Sequence, residues 1–175
     1  LAQIEWAVAL DPLSSVMRDV MGGILEAKGR IPDAMAAYRK AMVIDPLRPG
    51  SYDSVALLLA SALGKLADAV PFAQKAMELD PGNPRYASYL AWLHFDLGND
   101  ADATRLLSVA RQVGPDEDTV LTMSAAINQA RGDQQAAVHD AERLLASNSR
   151  DVFGLGLLRD HDLQAGRPEL ALARY

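Results

Sequence analysis

The sequence predicts an all-α protein assembled from repeated antiparallel helical hairpins, and three observations carry that expectation. Gly29, Gly64, Gly98, Gly132 and Gly166 recur at intervals of 35, 34, 34 and 34 residues, so one structural unit is reused along the chain. Alanine follows each glycine at a fixed offset of five residues, at Ala34, Ala69, Ala103, Ala137 and Ala171. Aromatic residues make up only 6% of a chain that is 50% hydrophobic, and alanine and leucine dominate. Those two side chains lose little conformational freedom in a helix, and alanine lets helices approach closely.

The elements follow in order from start and stop signals. Residues 1–14 read as the second helix of an incomplete hairpin, because Ala7-Val8-Ala9-Leu10-Asp11-Pro12 parallels Ala41-Met42-Val43-Ile44-Asp45-Pro46. Whole hairpins follow over 15–49, 50–83, 84–117 and 118–151, and 152–175 is an incomplete last one, in which Tyr175 stands where Tyr38 stands relative to its glycine. Each glycine lets the chain leave a first helix with positive φ. Pro32 and Pro168 suit the first turn of the helix that comes next, where no N–H is needed. A second small or apolar position lies twelve residues beyond the glycine, at Ala41, Ala76, Ala110 and Leu144. Pro46, Pro81 and Pro115 then end the second helices, since the residue before proline is pushed out of the α region. The second hairpin is expected to be irregular, with Pro71 bending or delaying its helix and the additional residue of the 35-residue interval placed in the turn Pro46–Gly50. With both ends in mid-hairpin and no initiator methionine or leader-like start at Leu1, the sequence is expected to be a piece of a longer protein, all of it one repeat domain.

These residues resemble the tetratricopeptide repeat family, and the resemblance covers essentially the whole chain. Gly22, Ala91 and Ala125, seven residues before their glycines, stand where that family keeps a small first-helix residue. The resemblance implies a right-handed superhelical solenoid, with first helices lining a concave face and second helices forming the outer wall. There are departures: Arg18, Asp53, Ala87, Leu121 and Leu155 replace the favoured tryptophan, Leu57 and Arg159 replace a small residue, and Ser149 replaces the closing proline.

Composition narrows the function. The net charge of -6 offers no field for a polyphosphate backbone, so nucleic acid is not expected as a partner. The longest apolar run, Val55 to Leu63, is nine residues with a serine inside it, far short of the roughly 20 that span a bilayer, so direct membrane insertion is not expected. The absence of cysteine removes disulfides and thiolate chemistry without separating cytosol from periplasm, the cytoplasm being marginally favoured.

A binding surface is expected on the concave face. In the third hairpin Tyr86, Tyr89, Leu90, Leu93 and Leu97 follow helical spacing and read as core. A second stripe at i, i+3, i+7 and i+10 reads Arg85, Ser88, Trp92 and Phe95. The preceding hairpin adds Ser51, Ser54, Leu58 and Ser61, and the one after it Thr119, Thr122, Ala126 and Gln129. An aromatic centre ringed by hydroxyls suits an extended peptide or an amphipathic helix. Aromatic residues at this spacing equally suit core packing against the adjacent hairpin, and spacing alone does not choose. Family members that hold a chaperone's free carboxylate use Lys, Asn and Arg here; Val16, Asp19, Gly23 and Glu26 in the first hairpin do not fit that clamp.

No catalytic, metal or cofactor site is expected. His94, His139 and His161 lie in different hairpins, and the flanking carboxylates of Arg159-Asp160-His161-Asp162 point apart on a helix. The leading expectation is a scaffold that holds a protein or peptide. One alternative is a structural spacer or self-associating element, using Ile4, Trp6 and Leu10 at one end and Leu170 and Leu172 at the other. Another is the accessory repeat region of a larger bacterial enzyme, signalling or export assembly.

Overall fold

The computed structural model describes residues 2–174, and every regular element among them is helical. The readings placed on Leu1 and Tyr175 lie outside the described residues. The helices fall into two compact units, one ending at Pro81 and the other beginning at Gly82.

In the first unit α1 (Ala2–Leu10) precedes the hairpins α2 (Ser15–Ala27) with α3 (Ile31–Ile44), and α4 (Pro49–Leu57) with α5 (Leu66–Leu79). The second unit contains α6 (Pro84–Asp96) with α7 (Asp100–Val113), α8 (Asp118–Arg131) with α9 (Gln134–Ser147), and α10 (Val152–Gln164) with the short α11 (Pro168–Leu172). Side-chain caps start several first helices. Ser14 accepts from the Met17 N–H, Asn83 from Arg85, Glu117 from Thr119 and Val120, and Asp151 from Gly154. Such caps satisfy N–H groups that lack a partner within the helix.

All five periodic glycines have positive φ, between 64° and 81°. The two alanine columns are where the hairpins close. Ala34, Ala69, Ala103 and Ala137 are fully buried and Ala171 nearly so, as are Ala41, Ala76, Ala110 and Leu144 twelve residues after their glycines. A larger side chain there would separate two backbones, which is why the sequence repeats its smallest helix former.

The additional residue of the second hairpin is not in the turn Pro46–Gly50. Fifteen residues separate Pro49 from Gly64, whereas fourteen separate Ser15 from Gly29, Pro84 from Gly98 and Asp118 from Gly132. The surplus sits inside the helix, where Leu58–Ala62 form a π-helical turn that holds one more residue than an α turn. The capping bond confirms the shift. The N–H after the glycine returns five residues in Arg30→Leu25, Asn99→His94, Asp133→Asn128 and Arg167→Asp162, but six in Lys65→Leu59. Ahead of the π turn, Ala56 rather than Leu57 is therefore the small residue, and it is fully buried. Pro71 lies within α5, which still begins at Leu66, so the proline does not delay the helix.

Candidate functional site

In the second unit the core side of α6 is as the spacing suggests for Tyr86, Tyr89, Leu90 and Leu93, all buried. Leu97 is not core: it caps α6 at the turn and is 37% exposed. On the neighbouring stripe Arg85 is exposed and Ser88 is fully buried, its hydroxyl donating to the Arg85 carbonyl at 2.9 Å. Ser88 therefore offers no surface to a partner. Trp92 and Phe95 are half-buried, between the two readings that the spacing left open. Trp92 stacks on buried Tyr89 with ring centroids 5.5 Å apart. The Arg131 guanidinium lies 5.5 Å over the Phe95 ring and covers one face of it, so Trp92 is the more available anchor. On α8, Thr122 donates to the Asp118 carbonyl at 2.8 Å, Ala126 is half-buried and Gln129 is exposed.

In the first unit Ser54 is half-buried, Leu58 is fully buried, and exposed Ser61 donates to the Leu57 carbonyl at 2.6 Å. Leu58 is covered for the same reason that the spacing differs. Counting back from Gly64 passes through the π turn, and Leu57, half-buried, takes the place that Trp92 holds in α6. Beside these residues, Arg48 and Ser51 both donate to Asp19 Oδ2, at 2.7 and 2.8 Å. Tyr38 donates to Glu26 at 2.9 Å. Burial, followed by that carboxylate, pushes the Tyr38 phenol well above its ordinary value.

The sequence reading missed two ionic clusters in the second unit. Asp140 on α9 is buried and accepts from Arg111 at 2.9 Å, from Asn128 at 3.3 Å and from Ser124; Arg111 also donates to Ser124. Asp162 on α10 is buried between Arg167 at 2.9 Å and Arg174 at 2.8 Å. The available signal was an acid in an apolar column, since Ala37 and Leu106 stand eight residues after their glycines, where Asp140 stands after Gly132. Asp160 pairs with Arg159 while Asp162 turns to Arg167 and Arg174, so the two carboxylates beside His161 do not converge. Among the described residues no group of three or more His, Asp or Glu could hold a metal ion, and no helix is long and apolar enough to cross a membrane.

Residues 60–127 match the tetratricopeptide repeat family, and the whole hairpin pattern is that of its solved members. Residues 60–127 are tetratricopeptide repeats by that match. Comparison with the curated proteins gives no match. Among solved structures it is similar to the Cut9–Hcn1 hetero-tetramer of the APC/C, with TM-score 0.85 and 17% identity over 98% of this chain. That match covers 35% of the other chain, so this chain spans about a third of its length. It is similar to a thermophilic TPR protein of Thermus thermophilus, with TM-score 0.80 and 19% identity over 93% of this chain and 88% of that one. YrrB, a TPR protein with an unusual peptide-binding site, gives TM-score 0.63 and 13% identity over 98% of this chain and 88% of that one. At these identities the likeness carries the fold, an all-α solenoid of helical hairpins. Tetratricopeptide repeats generally act as non-catalytic scaffolds that mediate protein–protein interaction.

Proposed function

We propose that this chain is a non-catalytic protein-interaction scaffold whose second unit holds a peptide or helix of a partner along Arg85, Trp92, Phe95, Thr122, Ala126 and Gln129. The observation that carries this reading is Trp92, a large indole seated on buried Tyr89 yet only half-covered. A tryptophan held by stacking loses little further freedom on binding, which is what an anchor needs. The hydroxyl of Thr122 is already bonded within α8, so polar recognition rests on exposed Gln129 at the edge. In the first unit the Ser61 hydroxyl is likewise bonded, to the Leu57 carbonyl, and Ser54 is hydrogen-bonded to Tyr38, so half-buried Leu57 is the open position there. YrrB supports the class of ligand through its peptide-binding site. Capture of partners from the source lysate by the parent and by a Trp92→Ala variant, each checked for helicity by circular dichroism, tests the reading. A partner lost by the folded variant supports it; a partner retained in full removes Trp92 from the working surface.

Self-association is a second reading, favoured by the exposure of Trp6 and Leu10 on α1 (67% and 66%) and of Leu170 and Leu172 on α11 (51% and 70%). Ile4, expected to join them, is buried within the first unit and is not part of that surface. A sedimentation series in protein concentration separates the two: Trp6→Ser abolishes assembly if the ends drive it and has no effect if the protein is monomeric.

A further inference from the structure

Trp92 and Asp96 stand four residues apart on α6, the spacing that brings two side chains together on one face of a helix. The acid is particular to this hairpin. Two residues before the five turn glycines stand Ala27, Ala62, Asp96, Ala130 and Gln164. Asp96 is the last residue of α6, where the helix dipole favours a cation, so a carboxylate there is unfavourable unless something offsets it. Nothing among the described residues does: Asp96 is exposed, and its carboxylate forms no ion pair or hydrogen bond with any of them. Desolvation, with no cation beside it, holds the Asp96 carboxyl above the usual carboxylate range.

The same combination of groups is already at work beside it. The Arg131 guanidinium lies 5.5 Å over the Phe95 ring and donates to Asp100 at 2.6 and 2.8 Å, so an aromatic face and a carboxylate hold one cation between them. An aromatic face carries the negative side of the ring quadrupole, and indole attracts cations better than a phenyl ring does. Trp92 is fixed before any ligand arrives, by its stack on buried Tyr89, and is only half-covered. Arg131 is engaged by Asp100, and Arg85 stands at the far end of α6, two turns from Trp92.

We propose that Trp92 and Asp96 together receive a cationic side chain of the bound partner segment, arginine ahead of lysine because a planar guanidinium stacks on the indole. This rests on Trp92 as the open anchor of the second unit and adds the charge of the group that it holds. Both contacts are solvent-exposed, so a lone cation binds only in the range of roughly tens to hundreds of millimolar and contributes as one subsite of a longer ligand.

The test is an NMR titration of the whole chain with acetyl-arginine methylamide, its neutral citrulline analogue and acetyl-glutamate methylamide at constant ionic strength. It is read at the two tryptophan indole N–H signals and at the Asp96 carboxyl carbon. Trp6, 67% exposed and followed one turn on by Leu10, is the internal control. The arginine probe is expected to shift the Trp92 and Asp96 signals together, at least about threefold more tightly than it shifts Trp6 and than the citrulline probe binds. The glutamate probe is expected to leave both signals in place. Asp96→Asn, at an exposed position whose carboxylate holds nothing in the fold, is expected to bring the arginine probe down to the citrulline level with helicity unchanged. Equal binding of the arginine and citrulline probes at Trp92, a Trp6 shift as large as that of Trp92, or no effect of Asp96→Asn would each overturn the cation assignment while leaving Trp92 as an open anchor. If no probe moved the Trp92 signal, the anchor itself would fail and this assignment with it.

Discussion

Replacing Gly22 by alanine sets helix propensity against packing, and the structure decides the sign. Alanine is about 1 kcal/mol better than glycine in a helix interior, so propensity alone favours the change. A Cβ at Gly22, however, would meet Tyr38 Cε1, Cδ1 and Cζ at 2.4, 2.6 and 2.9 Å. These are ring atoms of a side chain only 4% exposed and tied to Glu26 by its hydroxyl, so the ring has little room to swing away. Overpacking of this kind costs about 1–3 kcal/mol, and loosening the hydrogen bond to a carboxylate adds about 1 kcal/mol. The net expectation is a loss of about 1–3 kcal/mol. The adjacent Gly23 is the internal control: its Cβ would lie 3.7 Å from the Tyr38 hydroxyl, an ordinary contact, so Gly23→Ala should stabilise by up to about 1 kcal/mol. Urea denaturation followed by circular dichroism, with amide exchange in α2 and α3 as a local readout, measures both. Gly22→Ala in a Tyr38→Ala background should then cost nothing, because the clash is gone. If the two single variants were equally stabilised, or if the Tyr38→Ala background left the cost of Gly22→Ala intact, packing against the ring would not be its cause.

Deleting exposed Ser61 restores the fourteen-residue interval, so α4 should run as a regular α-helix to Gly64 with stability unchanged or raised. A loss above about 2 kcal/mol in urea denaturation would mean that the π turn itself supports the packing. Asp140→Ala strands Arg111 and Asn128 without their buried acceptor and should cost about 2 kcal/mol, less than a fully buried pair because Arg111 is 43% exposed; chemical denaturation reads this directly. A joint Asp140→Leu, Arg111→Met change should recover most of that loss, and failure to recover would show that the cluster contributes more than its own satisfaction. The Arg174 hydrogen bond, opposed by burial and aided by the charges of Arg174 and Arg167, holds the Asp162 carboxyl below the usual carboxylate range. A depressed value means that its stabilisation is whole above about pH 4 and fades as pH falls through the folded value. Exchange protection of α10 and α11 should therefore drop in acid in the parent, and Asp162→Asn should lack that dependence.

The hairpin fold was legible because each of its requirements admits few residues. Positive φ selects glycine, close helix approach selects alanine, and both recur at fixed offsets. The extra residue was legible as an interval of 35 but was misplaced, because counting back from Gly64 runs through the irregularity before reaching the helix start. The stretches from Asp45 to Pro49 and from Asp80 to Pro84 have equal length, which places the surplus after Pro49. That comparison also moves the small position to Ala56 and the open position to Leu57. Ser88 was misread for a different reason. A stripe next to a broad apolar face is still covered near the helix start, and no periodicity reports how wide the covered sector is.

The Asp140 cluster was hidden because its members are far apart in sequence, 29 residues in the case of Arg111 and Asp140. Their position suggests why a repeat chain carries them at all. Hairpins closed by the same two alanine columns are interchangeable at their seams, and an apolar seam tolerates slipped stacking. The column Leu25, Leu59, His94, Asn128 and Asp162 abandons that uniformity along the chain, apolar in the first unit and polar in the second. A buried carboxylate is costly unless it is paired; Asp140 meets Arg111 of α7 and Arg143 of its own helix, and Asp162 meets Arg167 and Arg174 of its own hairpin. Of these pairings, Arg111 with Asp140 is the one that ties together helices of different hairpins.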